Sequence, residues 1–99
     1  MGTPLSLAID RRDDGTHVVT ARGELDLSNI DRFIQALREA TGDGGTVTVD
    51  LSAVEYLDSA AINTLFEHVG HIEIVANHVL MPLLTVSGLA NMVTVRSSR

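Results

Sequence analysis

The sequence contains no cysteine. That excludes a disulfide framework and thiolate metal sites, and it suits a reducing, cytoplasmic setting. Aromatic residues make up only 3% of the chain, so a core has to be assembled from Leu, Ile, Val and Ala. No apolar run reaches the roughly 20 residues that a membrane-spanning helix needs. The longest uncharged stretch, Val79 to Val95, is interrupted by Pro82 and Gly88. The start Met1-Gly2-Thr3-Pro4 lacks the basic and apolar blocks of a secretory signal; it is compatible with excision as one module of a longer protein. Cations are outnumbered, with Lys and Arg at 7 against 13 Asp and Glu and a formal net charge of −6. Such a chain repels phosphate backbones, which argues against direct nucleic-acid binding.

What remains is ordinary globular composition, 44% hydrophobic and 20% charged over 99 residues. That length suits one domain over residues 1–99 and leaves no room for a second core. Leu5, Leu7 and Ile9 alternate with polar or small residues, as in a strand with one buried face. Asp13-Asp14-Gly15 is a turn signal, and His17 to Arg22 makes the second arm of an antiparallel hairpin closed by Gly23. Ser28-Asn29-Ile30-Asp31 has the form of a capping box. Ile30, Phe33, Ile34 and Leu37 then trace one face of an amphipathic helix, which ends between Glu39 and Gly45. Val47, Val49 and Leu51 alternate as a third strand, and a short loop with Val54 and Leu57 inward follows.

From Asp58 the helical spacing returns, with Ile62, Leu65, Phe66 and Val69 as the inward stripe and Gly70 as the stop. Ile72, Ile74 and Ala76 read as a fourth strand. A helix carrying Leu83 and Leu84 is expected to begin near Leu80, because Pro82 sits comfortably only among the first helical positions; Gly88 ends it. Met92, Val93 and Val95 suggest a last strand. The order is β-β-α-β-α-β-α-β, an α/β domain with a mixed sheet and helices packed on it.

The chemistry-bearing residues give little support to an enzyme. No Gly-x-Ser-x-Gly elbow surrounds Ser59. Gly42-Asp43-Gly44-Gly45 lacks the Lys and Ser/Thr of a phosphate loop and follows a helix rather than opening one. His68 and His71 are separated by the expected helix stop at Gly70, which breaks the shared face a helical metal site with His78 would need; histidines at a helix end that favour its dipole are the simpler reading. His17 reads as a polar strand position, and Asp10, Asp13 and Asp14 as a solvated turn. Asp26 and Asp58 stand ahead of two helices, where capping and loop bonding are their ordinary roles. No metal or cofactor is expected.

The informative segment is Asp50-Leu51-Ser52-Ala53-Val54-Glu55-Tyr56-Leu57-Asp58-Ser59-Ala60-Ala61. Asp58 is placed to cap a helix whose first turn, Ser59-Ala60-Ala61, is small and leaves the helix end open to another protein. Ser59 is either a propensity choice at a helix start or a phosphorylation site. A phosphate there would meet the positive end of the helix dipole and leave the domain folded, while adding about 1.5 to 2 negative charges to the surface.

This segment resembles the signature of the STAS domain of bacterial anti-sigma factor antagonists. Gly23-Glu24-Leu25-Asp26-Leu27-Ser28 is similar to the family's segment before the first helix, and Thr85-Val86-Ser87-Gly88-Leu89-Ala90-Asn91-Met92 to its late helix end. The resemblance implies a single STAS-like domain that binds an anti-sigma factor with serine kinase activity and thereby frees a sigma factor. It aligns Ser59 with the phosphorylated serine, whose modification breaks the complex and whose phosphate a separate phosphatase removes. It places Asp26, Ser28, Asp58, Ser59, Ala60, Ala61 and Asn63 on the docking surface. Ala61, often Gly in the family, would add a methyl to that surface, and Asn63 a polar group. The short link His68-Val69-Gly70-His71-Ile72 implies a shortened second helix or a trimmed loop. The alternative is a STAS module of a larger signalling protein or transporter that interacts without phosphorylation.

Overall fold

A computed structural model describes residues 3–42 and 44–98; Met1, Gly2 and Asp43 of the glycine-rich connection lie outside them. The strands are β1 (Ser6–Arg11), β2 (His17–Leu25), β3 (Val47–Leu57), β4 (Ile72–Ala76) and β5 (Val95–Ser97), and the helices are α1 (Ile30–Thr41), α2 (Ser59–Glu67) and α3 (Met81–Val86), followed by a 3₁₀ turn at Leu89–Asn91. The sheet order is β1-β2-β3-β4-β5. β1 pairs antiparallel with β2, and every later pair is parallel. This is the mixed sheet and element order expected from the sequence.

Each of the three β-α-β connections steps one strand in the same direction. Right-handed crossovers therefore put all three helices on one face. The core lies between that face and the helices. Val19 and Ala21 of β2, Val47, Val49 and Leu51 of β3, and Ile72, Ile74 and Ala76 of β4 meet Phe33, Leu37, Leu65 and Leu84 there. The opposite face carries the alternate residues Val18, Thr20, Thr48, Asp50, Glu73 and Val75. Thr48 is fully buried in the middle of it, and among the described residues its Oγ1 is the buried side-chain atom without a hydrogen-bond partner.

Several local expectations need correction. β3 does not end at Leu51 in a loop; it continues to Leu57. Two register shifts against β2, between Thr20 and Arg22 and between Gly23 and Glu24, each give β3 one more residue than its partner. The bulge breaks strict alternation, which is why the segment reads as a loop. At the first shift the Ser52 N–H and hydroxyl both donate to Asp50 Oδ1, at 2.9 and 2.6 Å.

Gly23 does not close β2 but sits inside it, with φ of +91°. A Cβ there would lie 2.3 Å from the Pro4 carbonyl oxygen, so only glycine lets the N-terminal segment lie this close. The capping box is also absent. Asn29 occupies the N-cap position of α1 without a side-chain cap bond, because its amide bonds Asp26 and Glu24 of the preceding loop, while the Ser28 hydroxyl donates to Asp26. The strand face carrying Leu5, Leu7 and Ile9 is buried only at its start: Leu5 is in the core, whereas Ile9 is 38% exposed. In the inward stripe of α2, Phe66 and Val69 are only half-buried, and the helix stops at Glu67, before Gly70. α3 begins at Met81 behind Leu80, as Pro82 dictates, and ends at Val86. The last strand begins later than Met92; Thr94 accepts from the Ile74 N–H, and β5 follows.

Candidate functional site

Parallel pairing brings the site together. Leu25, the last residue of β2, is in register with Leu57, the last of β3. The residues that follow, Asp26 and Asp58, therefore emerge side by side at the carboxyl ends of two parallel strands, the edge where open α/β sheets present their sites.

Asp58 is clasped on both sides. Its Oδ1 accepts from the Ala61 N–H at 3.0 Å, capping α2, and its Oδ2 accepts from the Leu27 N–H at 2.9 Å. One carboxylate thus satisfies an orphan helix donor and fastens the loop before α1 to the start of α2. Asp26 organises that loop. Its Oδ1 accepts from the Ser28 N–H at 2.9 Å and from the Ser28 hydroxyl at 2.5 Å. Asn29 closes the turn, accepting from the Asp26 N–H at 3.0 Å and donating to the Glu24 carbonyl at 2.9 Å.

Ser59 and Asn63 are exposed, Ala60 is half-buried, and Asp26, Ser28 and Asp58 sit with Ser59 around the start of α2. Ala61 is different. It is 0% exposed, so its methyl belongs to the core and adds nothing to the surface, contrary to the expectation. The helical phase turns Ala61 under the helix while Ser59 faces out.

Three further residues shape this region. Leu27 is 74% exposed between Asp26 and Ser28, and Tyr56, two residues before Asp58, is half exposed. The signal was available in part: a leucine flanked by loop-forming polar residues has no strand or helix to bury it. Asn77 gave no such signal. Its amide nitrogen donates to the Ser52 and Val54 carbonyls at 3.0 and 2.8 Å, and its Oδ1 accepts from the Val79 and Leu80 N–H groups at 2.9 and 3.1 Å. It takes over from β4 where that strand ends, and holds the bulged part of β3 in place.

The other candidates fall into structural roles. His68 ends α2, its Nδ1 2.8 Å from the Thr64 carbonyl oxygen. Among the described residues no three His, Asp or Glu side chains gather as a metal site, and no helix is long and apolar enough to cross a membrane. Asp13 and Asp14 lie in the exposed turn, and the Thr16 N–H donating to Asp14 at 2.9 Å holds that carboxyl below the ordinary aspartate range. Asp10 lies one residue before the end of β1 on the open face, and His17 starts β2.

A five-stranded mixed sheet with three helices on one face, and two hydrogen-bonded polar loops side by side at the strand ends, defines an α/β domain. The sequence matches the family described as Mlab, STAS domain, over residues 9–94, and the chain belongs to that STAS domain family. No curated protein matches it in sequence. The fold is similar to an anti-sigma factor antagonist from Mycobacterium paratuberculosis, with a TM-score of 0.87 at 23% identity over 94% of this chain and 86% of that one. An antisigma-factor antagonist STAS domain from Rhodobacter sphaeroides superposes with a TM-score of 0.54 at 20% identity, over 73% of this chain and 84% of that one. A protein with a SpoIIAA-like fold from Shewanella loihica gives 0.61 at 14% identity, over 98% and 86%.

Proposed function

We propose that this domain is an anti-sigma factor antagonist that works by binding rather than catalysis, in the cytoplasm. It docks on an anti-sigma factor with serine kinase activity through the start of α2 and the loop before α1, and so frees a sigma factor. Phosphorylation of Ser59 ends the contact, and a phosphatase restores it. The observation that carries this reading is Ser59 itself, exposed at the first position of α2 beside an Asp58 that is already bonded on both sides.

The physics of the position suits a switch. A phosphate on Ser59 joins the positive end of the helix dipole, which tolerates it, so the domain stays folded. Its added charge, about 1.5 to 2 units, falls next to a carboxylate that cannot turn away without breaking two hydrogen bonds. A partner lying flat on Ser59, Asn63 and Leu27 then meets both charge and bulk. Titration of wild type, Ser59→Ala and Ser59→Glu against the partner tests this. The expected result is retained binding for Ser59→Ala and a loss of about tenfold or more for Ser59→Glu, with mass spectrometry placing phosphate on Ser59 after incubation with kinase and ATP. Equal affinity of all three would refute the switch and favour a STAS module that interacts without phosphorylation.

A further inference from the structure

Away from that site, β1 is an outer strand of the sheet, and the helix-side flank beside it is open. A groove of about 380 Å³ runs between β1 and α1, lined by Leu7, Ile9, Arg32, Gln35, Ala36 and Glu39. An edge unpaired among the described residues, next to an open groove walled in part by Leu7, Ile9 and Ala36, is a liability that sheets usually blunt with a charge, a proline or a cover. Here the middle of the strand, Leu7-Ala8-Ile9, carries none of these. We propose that this edge pairs with β1 of a second copy of the same chain, joining two sheets into one across a two-fold axis at Ala8.

The register follows from the faces. A two-fold axis perpendicular to the sheet keeps both helix layers on one side, so residues on the helix face must oppose residues on the helix face. Antiparallel pairing centred on Ala8 satisfies this. It sets Leu7 of each copy opposite Ile9 of the other, two apolar cross-strand pairs over the groove, and Ser6 opposite Asp10 on the open face. Small Ala8 meets itself at the axis, and no like charges face each other within the strand.

The charges on α1 fit the same arrangement. Arg32 lies level with the start of β1, its Nη1 3.4 Å from the Leu5 carbonyl oxygen. Glu39, seven residues on, lies about 10 Å further along the helix and lines the groove together with Ile9. The two-fold axis reverses one copy against the other, so Arg32 of each chain comes opposite Glu39 of its partner. Two reciprocal opposite-charge pairs then flank the apolar strip, which makes the surface complementary to itself. The pairing uses none of Asp26, Ser28, Asp58 or Ser59.

Sedimentation of the purified chain from micromolar to millimolar concentration, in physiological salt, tests the proposal. Wild type is expected to move from the mass of one chain to that of two. Ile9→Lys, at an exposed position that leaves the core intact, is expected to stay at one, with an unchanged circular dichroism spectrum. Arg32→Glu is expected to weaken association about tenfold, and Arg32→Glu with Glu39→Arg to recover it. A wild type that remains a monomer throughout, or an Ile9→Lys variant that still dimerises, overturns the pairing; equal weakening in the single and double charge variants overturns the register.

Discussion

Asp58 offers the sharpest test of how the site is built. Its carboxylate makes two bonds with separate duties, one to the Ala61 N–H within α2 and one to the Leu27 N–H across 31 positions of sequence. Asp58→Ala removes both. Loss of an N-cap acceptor costs about 0.5–2 kcal/mol. The second bond joins a charged acceptor to an exposed loop N–H, which water can satisfy once released, so it contributes about 1 kcal/mol. The sum predicts a loss of about 1.5–3 kcal/mol, or a fall of roughly 6–24 °C in melting temperature for a domain of this size. Asp58→Asn keeps one acceptor oxygen, so it should retain the cap, lose the link to Leu27 and fall between wild type and Asp58→Ala. Denaturant unfolding gives the energies, and amide hydrogen exchange at Leu27 and Ala61 assigns them. Exchange at Leu27 should rise in both variants, but at Ala61 only in Asp58→Ala. If Asp58→Asn matches Asp58→Ala, or if Leu27 exchange is unaltered, the double clasp is not what holds these loops.

Three more perturbations probe the scaffold. Gly23→Ala should destabilise by more than about 1 kcal/mol, because a left-handed backbone and a clash with the Pro4 carbonyl act together; chemical denaturation within error of wild type would contradict it. Asn77→Ala removes four hydrogen bonds at once, leaving carbonyls of β3 unpaired, and should cost about 2–4 kcal/mol in the same assay. Thr48→Val replaces a buried hydroxyl that has no partner among the described residues with a methyl of similar shape, so it should be neutral or stabilising by about 1 kcal/mol; a loss would show that the hydroxyl is bonded in solution.

Much of this protein is legible from one-dimensional pattern. The period-two runs at Val47-Val49-Leu51 and Ile72-Ile74-Ala76 and the helical spacing from Ile30 to Leu37 appear in the structure as elements of the expected kind, because burial on one side of a strand or helix imprints its own period. Pro82 located the start of α3 for an equally local reason. Asp58 as a helix cap was visible too, since capping depends on residues three apart.

Tertiary structure decided the rest. The bulged continuation of β3 to Leu57 breaks alternation, and it exists only because β2 and Asn77 on either side supply partners for its backbone. Ser28 does not cap because α1 begins at Ile30, which makes Asn29 the N-cap residue and leaves Ser28 outside the helix with its hydroxyl donating to Asp26. Ala61, which the family resemblance placed on the docking surface, is buried, because it shares the face of Leu65, four residues on, that α2 lays against the sheet. Composition and periodicity determined which elements form and where Asp58 and Ser59 fall within them. Only the parallel register of Leu25 with Leu57 decided that Asp26 and Asp58 stand together, because contact between residues 32 positions apart depends on how strands pair and not on what either strand contains.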